Sequence, residues 1–281
     1  MSAFFPNFIN NCISINSIII RSVHRLTLKM NRDTEQNRYI KMTLEYDGTD
    51  FAGWQVQPEQ RTVQEVVETG LFKMTKKKFR VTASGRTDAG VHALGQVVSF
   101  KTDTSLPISA FSKGLNSYLP QDVRVINAEM KREKFDARKN AISRTYRYIL
   151  TKQPKVIGRQ YCWYPQCSFR LNPMIKASKF LKGEHTFTSF CKKKSEGYYN
   201  NISTVHTVEW KTIENEVVFQ INAVRFFHNM IRIIIGTLLE VGKGTLTPED
   251  FKRILEAQDR KFAGPTAPPQ GLYLVKVYYN N

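Results

Sequence analysis

Apolar and polar residues alternate through residues 39–46 (Tyr-Ile-Lys-Met-Thr-Leu-Glu-Tyr), which predicts a strand closed by the Asp47-Gly48 turn. From Thr62 the period becomes helical: Val63, Val66, Val67, Leu71 and Met74 fall on one face. Thr62 and Glu65 stand three apart, which predicts a capping box at the helix start. Strands are expected at 79–84 and 95–101, with Gly85 to Leu94 as the loop between them. Pro107 to Leu119 reads as a second helix and 122–130 as another strand. Helices on one face of a mainly antiparallel sheet suit this order.

The second half has the same character. A strand is expected at 143–151. Asn172 as N-cap and Pro173 in the first turn start a helix to about Leu181. Residues 203–213 and 216–224 pair across Glu214-Asn215. A strongly apolar helix runs from about Phe226 to Val241, and Thr247-Pro248-Glu249-Asp250 opens another with its own cap. A Gly/Pro-rich loop, Ala263 to Gly271, feeds a last strand, Leu272 to Tyr279. No short repeat is visible, but the halves read as two related α+β units, 39–138 and 139–281, with the boundary within 132–142.

Composition narrows the class. A chain of 281 residues buries roughly three quarters of its unfolded surface and needs no disulfide or metal staple. Its 41% hydrophobic and 12% aromatic content excludes a largely disordered chain. The longest aliphatic runs, Ile18 to Ile20 and Ile233 to Ile235, are far too short to span a membrane. The 42 Lys and Arg against 24 Asp and Glu leave a net charge of +18, which points to a polyanionic partner, nucleic acid ahead of an anionic membrane. Cys12, Cys162, Cys167 and Cys191 have no zinc spacing. Cys162 and Cys167 are near enough to meet in a hairpin, but reduced thiols in a cytosol-like compartment is the reading preferred. The first 32 residues lack Asp and Glu and carry Arg21, Arg25, Lys29 and Arg32. They read as an organelle transit peptide or as the product of a start misplaced ahead of Met30; polar interruptions make a secretory signal a poor fit. Residues 1–38 are set outside the fold.

Candidate chemistry concentrates in Ser84-Gly85-Arg86-Thr87-Asp88-Ala89-Gly90-Val91-His92-Ala93. A surface turn accounts for Asp and Gly alone, but not for Arg86 and Asp88 flanking Thr87 between two strands. No Lys-Ser/Thr pair follows a glycine, so this is no phosphate-cradling loop. In the apolar helix, His228, Arg232 and Gly236 are four apart and form a narrow polar strip. An arginine there either snorkels to solvent or pairs with a buried acid. The runs Lys76-Lys77-Lys78-Phe79-Arg80 and Lys192-Lys193-Lys194 suit phosphate contacts or a solvated helix end equally well.

Gly85 to Ala93 resembles the signature loop of the TruA-type tRNA pseudouridine synthases. Tyr46 to Gln55 is similar to that family's first strand and turn. Phe135-Asp136-Ala137-Arg138 with Ser143 to Tyr148, His185 to Phe190, Phe227 to Arg232, and Gly264 to Pro268 with Gly271-Leu272 resemble later blocks, in family order over roughly residues 39–277. The resemblance implies two domains with sheets side by side and a basic cleft between them. It implies isomerisation of uridine to pseudouridine at positions 38, 39 and 40 of the tRNA anticodon stem-loop, with no cofactor and no metal. Asp88 matches the essential aspartate, and its attack on C6 of the base or C1′ of the ribose both stay open. Arg232 is implied as its partner cation, since a carboxylate buried alone resists ionisation. Arg86 is expected to contact RNA or hold the flipped nucleotide out. Tyr146 is implied to contact the target uracil and Leu272 to pack against it, while Tyr148 is expected in the core. A homodimer in the cytoplasm is implied, or a mitochondrial location if the leader is a transit peptide. Two departures stand out: Ile233 replaces a frequent Asn, and Asp136 a frequent His or Asn. An RNA-binding protein without the chemistry, or a synthase acting on another RNA site, are the rival readings.

Overall fold

Every second residue of the first strand is buried: Ile40, Met42, Leu44 and Tyr46 turn inward. That alternation sets the pleat for the whole molecule. The computed structural model describes residues 38–131, 133–192 and 201–280; the leader up to residue 37, with Cys12, and Lys193 and Lys194 lie outside these described residues. The strands are β1 (Arg38–Tyr46), β2 (Thr82–Ala83), β3 (His92–Thr102), β4 (Val123–Lys131), β5 (Ala141–Thr151), β6 (Gly183–Thr186), β7 (Ile202–Ile213), β8 (Glu216–Ala223) and β9 (Leu272–Tyr279). The α-helices are α1 (Val63–Thr75), α2 (Ile108–Ser112), α3 (Leu171–Ser178), α4 (Met230–Lys243) and α5 (Pro248–Ala257).

The fold is α+β. Its strands form one sheet in the order β4-β1-β3-β9-β5-β8-β7-β6, with β2 paired on β3. All pairings are antiparallel except β3 with β9, which run parallel through two registered pairs, His92 with Tyr273 and Ala93 with Leu274. The strands before residue 132 and those after 140 thus meet along β3 and β9. Val63, Val67 and Leu71 of α1 and Ile231, Ile234, Ile235 and Leu238 of α4 share a core with β1 and with Val217, Phe219 and Ile221 of β8. Among the described residues, no helix is long and apolar enough to cross a membrane.

Several boundaries differ from expectation, each for a physical reason. Thr62 is the N-cap of α1 but forms no capping box, and its hydroxyl is buried without a partner. Its place is taken by backbone: the Val63 and Gln64 amides donate to the carbonyls of Gly53 and Trp54 at 3.2 and 3.0 Å. α3 starts at Leu171, capped by Arg170 and not Asn172, and passes into a 3-10 turn at Lys179–Leu181. Pro173 is tolerated because first-turn residues need no helical amide bond. The expected helix at 107–119 divides into α2 and a 3-10 turn at Gly114–Tyr118. There the Asn116 side chain accepts from the Val125 amide and donates to its carbonyl. The strand expected at 79–84 shrinks to β2. β3 begins at His92, three residues before the expected strand, because β9 pairs with it there. The β7–β8 hairpin and β9 agree with expectation, and α5 carries the full capping box between Thr247 and Asp250.

Candidate active site

The Asp88 loop is built on three supports. Its base is tied by the Ser84 amide to the Val97 carbonyl at 2.8 Å. Beneath it, Tyr46 and Thr87 share a hydroxyl hydrogen bond of 2.8 Å, and Gln96 donates to the Gly85 carbonyl while accepting from the Ser84 hydroxyl. Burial pushes the Tyr46 phenol up to about 12 against the opposing bonds from Thr87 and Gln96, so it stays a neutral hydroxyl. From the outer side, the Trp54 amide donates to the Thr87 carbonyl at 3.0 Å. That approach requires Gly53: its φ is +96°, and a Cβ there would lie 2.8 Å from the same carbonyl oxygen.

The far end of the loop is locked by His92. Its Nδ1 accepts the Gly48 amide at 3.0 Å, and its Nε2 faces the carbonyls of Gln160 and Gln270 at 3.0 and 3.2 Å. An amide at one nitrogen and carbonyls at the other match a ring that donates from Nε2. The ring stacks on Tyr273 at 4.8 Å. Asp47 Oδ1 also lies 3.1 Å from Nδ1. The carboxylate of Asp47 takes the Thr49 amide and hydroxyl and the Tyr161 hydroxyl. Burial works against its charged form, yet these bonds hold the Asp47 carboxyl below its ordinary range.

Between these anchors stands Asp88, with just over a quarter of its side chain exposed. Its Oδ2 lies 3.5 Å from Arg232 Nη1 and its Oδ1 3.5 Å from His228 Nε2. Arg232, in the first turn of α4, is aimed by two shorter bonds: Nε donates to the Ala267 carbonyl at 2.7 Å and Nη1 to Asn229 Oδ1 at 2.9 Å. The loop that provides Ala267 is held in turn, since the Ala267 amide donates to the Arg232 carbonyl and the Gly264 amide to the Thr237 hydroxyl. Arg232 pairs rather than snorkels. The polar strip is corrected: α4 starts at Met230, so His228 sits in the preceding turn, where Asn229 adopts φ +61° and swings it toward Asp88. Gly236 serves packing, as a Cβ there would overlap the Pro265 carbonyl.

Tyr146 is buried in β5, its ring edge on Phe226 at 5.0 Å. Burial first, then the neighbouring Tyr46 and Asp88, push its phenol up, with Arg144 opposing. Leu272 is buried beside Tyr148, and its strand neighbour two residues on, Leu274, pairs with Tyr146. Tyr148 is wholly buried and donates to the Pro268 carbonyl at 2.7 Å. Arg86 is exposed, with no side-chain hydrogen bond among the described residues. Asp88, Arg232 and Tyr146 therefore converge, Leu272 lies one pleat away, and Arg86 points outward. Asp136 accepts the amides of Arg138 and Lys139 and is a turn former.

Sequence reasoning passed over Asn229, Gln96 and Arg144. Arg144 donates to the carbonyls of Ser84, Val224, Ala141 and Arg138, tying the Asp88 loop to the ends of β5 and β8. Burial lowers its affinity for a proton. An arginine between Ser143 and Thr145 in a strand was the available signal.

The chain as a whole is similar to known proteins. A sequence profile for the family described as tRNA pseudouridine synthase matches residues 42–140 and 177–280. The chain is 45% identical over 249 residues to tRNA pseudouridine synthase A of Bacillus pumilus, covering 86% of this chain and 99% of that protein. It is 44% identical to the protein of that name from Bacillus subtilis, with 86% and 99% covered, and 43% to that from Geobacillus, with 87% and 100% covered. The chain belongs to the tRNA pseudouridine synthase family, and so to the isomerases that convert uridine to pseudouridine in tRNA.

Proposed function

We propose that Asp88 is the nucleophile of this isomerisation and that it acts on uridines 38, 39 and 40 of the anticodon stem-loop. The observation that carries this is the Arg232 guanidinium set against the Asp88 carboxylate by its own bonds to Ala267 and Asn229. A carboxylate oxygen adds to C1′, expelling uracil from the sugar, or to C6 of the ring. By either route the N1–C1′ bond breaks, a C5–C1′ bond forms as the bond to the carboxylate is released, and C5 loses a proton while N1 gains one. A target inside a stem must first be extruded. Tyr146 covers the face of the flipped base, Leu272 packs near it, and exposed Arg86 occupies the space it leaves or grips the backbone. No cofactor or metal takes part in this scheme.

The net charge of +18 and the junction of the sheet halves beside the Asp88 loop support two related domains, 39–138 and 139–281, with a basic cleft that receives tRNA. In this reading two copies act together, one gripping the tRNA while the other presents its site. The free thiols of Cys162, Cys167 and Cys191 suit a reducing, cytoplasm-like compartment.

Tritium release from tRNA labelled at C5 of uridine tests the nucleophile. Wild type turns over, and Asp88→Ala falls by roughly 10⁴-fold or more with an unchanged melting temperature. Full turnover by Asp88→Ala removes the assignment. Site mapping in cells lacking the protein tests the target: loss confined to the anticodon arm supports it, and intact anticodon arms contradict it.

A further inference from the structure

Beside Arg232 lies a cavity of about 440 Å³, lined by Lys192, Asn229, Arg232, Ile233, Arg260 and Thr266. Four separate chain segments meet there: the end of the 188–190 turn, the start of α4, the 260–262 turn and the 264–268 loop. Three of its six lining side chains are cationic, and none is acidic. Among the described residues, no carboxylate lies within ion-pair distance of Arg260, whose guanidinium donates to the Ala263 carbonyl. Arg232 reaches Asp88 and Asn229 through Nη1 and Ala267 through Nε; its Nη2 has no hydrogen-bond partner among the described residues. The Lys192 amide donates to the His228 carbonyl at 3.3 Å, which fixes the backbone of this lysine at the cavity wall.

Like charges facing one hollow repel unless an anion sits among them. The volume exceeds a bare phosphate and suits a sugar-phosphate link. We propose that this cavity binds one backbone phosphodiester of the RNA substrate, in a linkage flanking the target uridine, with Lys192 and Arg260 as its clamp. The inference rests on the reading of the chain as a tRNA-modifying enzyme. It adds that Arg232 is shared, one amino group facing the carboxylate and the other the phosphate. Seating the backbone at that point sets where the extruded sugar lies relative to Asp88. Ile233, buried at the cavity wall, has no polar group to give, so the charge that meets the anion comes from Lys192, Arg232 and Arg260.

The test separates this site from the enzyme assignment. Full tRNA is assembled by ligation with a neutral methylphosphonate at the linkage either 5′ or 3′ of the target uridine, and binding to the full chain is read by anisotropy. In wild type, one of the two replacements weakens binding roughly tenfold, the value of a charge-assisted contact. In Arg260→Gln and in Lys192→Gln the same replacement costs less than about half that factor, and each variant flattens the salt dependence of binding by about one counterion. Lys192 is exposed, so its variant serves should Arg260→Gln disturb the turn. Equal losses in wild type and both variants, or no loss at either linkage in wild type, overturn the proposal. Turnover of unmodified tRNA is measured alongside: its absence counts against the enzyme reading, whereas its presence with unresponsive linkages counts against the phosphate site alone.

Discussion

Asp88, in the loop, and His92, at the first position of β3, are four residues apart, yet their surroundings are opposites. His92 is almost completely buried, and both ring nitrogens are engaged at 3.0–3.2 Å by the backbone of Gly48, Gln160 and Gln270. Asp88 is partly open, and its neighbours Arg232 and His228 stand off at 3.5 Å. One end of the loop is closed and saturated; the other is oriented but left with capacity. A reacting group needs unspent hydrogen-bonding potential, and its precision has to come from neighbours that have none left. The carbonyl bonds made by Arg144 and the Tyr46–Thr87–Gln96 cluster belong to the saturated kind.

The contrast is open to direct attack. Arg232→Met removes the cation from the open end, and we expect single-turnover rates to fall about 100-fold, equivalent to ~2.7 kcal/mol. Melting should move little, since the Asp88 side chain keeps access to water; a near-wild-type rate would show the pairing to be incidental. His92→Ala strikes the closed end and should do the reverse. Loss of its hydrogen bonds and ring packing lowers unfolding stability by about 3 kcal/mol in a denaturant titration. Folded His92→Ala should retain measurable turnover, and a large rate loss without loss of stability would contradict its anchoring role. Tyr161→Phe is the mildest probe. It deletes an exposed hydrogen bond to Asp47 and costs about 0.5 kcal/mol. Because the Asp47 carboxyl titrates below its ordinary range in the folded chain, its stabilisation is present above the unfolded-state pKa and is lost as pH falls through the folded one. The gap between Tyr161→Phe and wild type should therefore be seen at neutral pH and close on acidification. A gap independent of pH would remove Asp47 from the account.

Local pattern was a good guide wherever local residues decide the outcome. Thr247 and Thr62 show the limit. Both precede a helix with an acidic residue three positions later, and the first forms the reciprocal cap while the second does not. At Thr62 the amides are met by Gly53 and Trp54, from a turn whose position depends on the Asp88 loop. The start of β3 escaped for a related reason: His92 pairs with Tyr273 of β9, some 180 positions later, and Ala93 lies between Leu274 of β9 and Tyr46 of β1. In the site, Asp88, Tyr146 and Arg232 could be singled out from motifs and from one cation in an apolar helix. Asn229 and Gln96 could not, because they act on other side chains and carry no pattern of their own. His228 was noticed, but on the wrong element: the left-handed Asn229 ends the turn before α4, a break that apolar periodicity does not register.

The parallel seam between β3 and β9 also has a consequence for incomplete chains. Its central partner is synthesised after every other strand described, so a nascent chain released before residue 272 leaves the flank of β3 nearest Asp88 unpaired. The edge that an incomplete product would expose to neighbouring polypeptides is the same edge on which Gln270 and Tyr273 secure His92. Order around His92 and protection of that edge therefore depend on one and the same strand pairing.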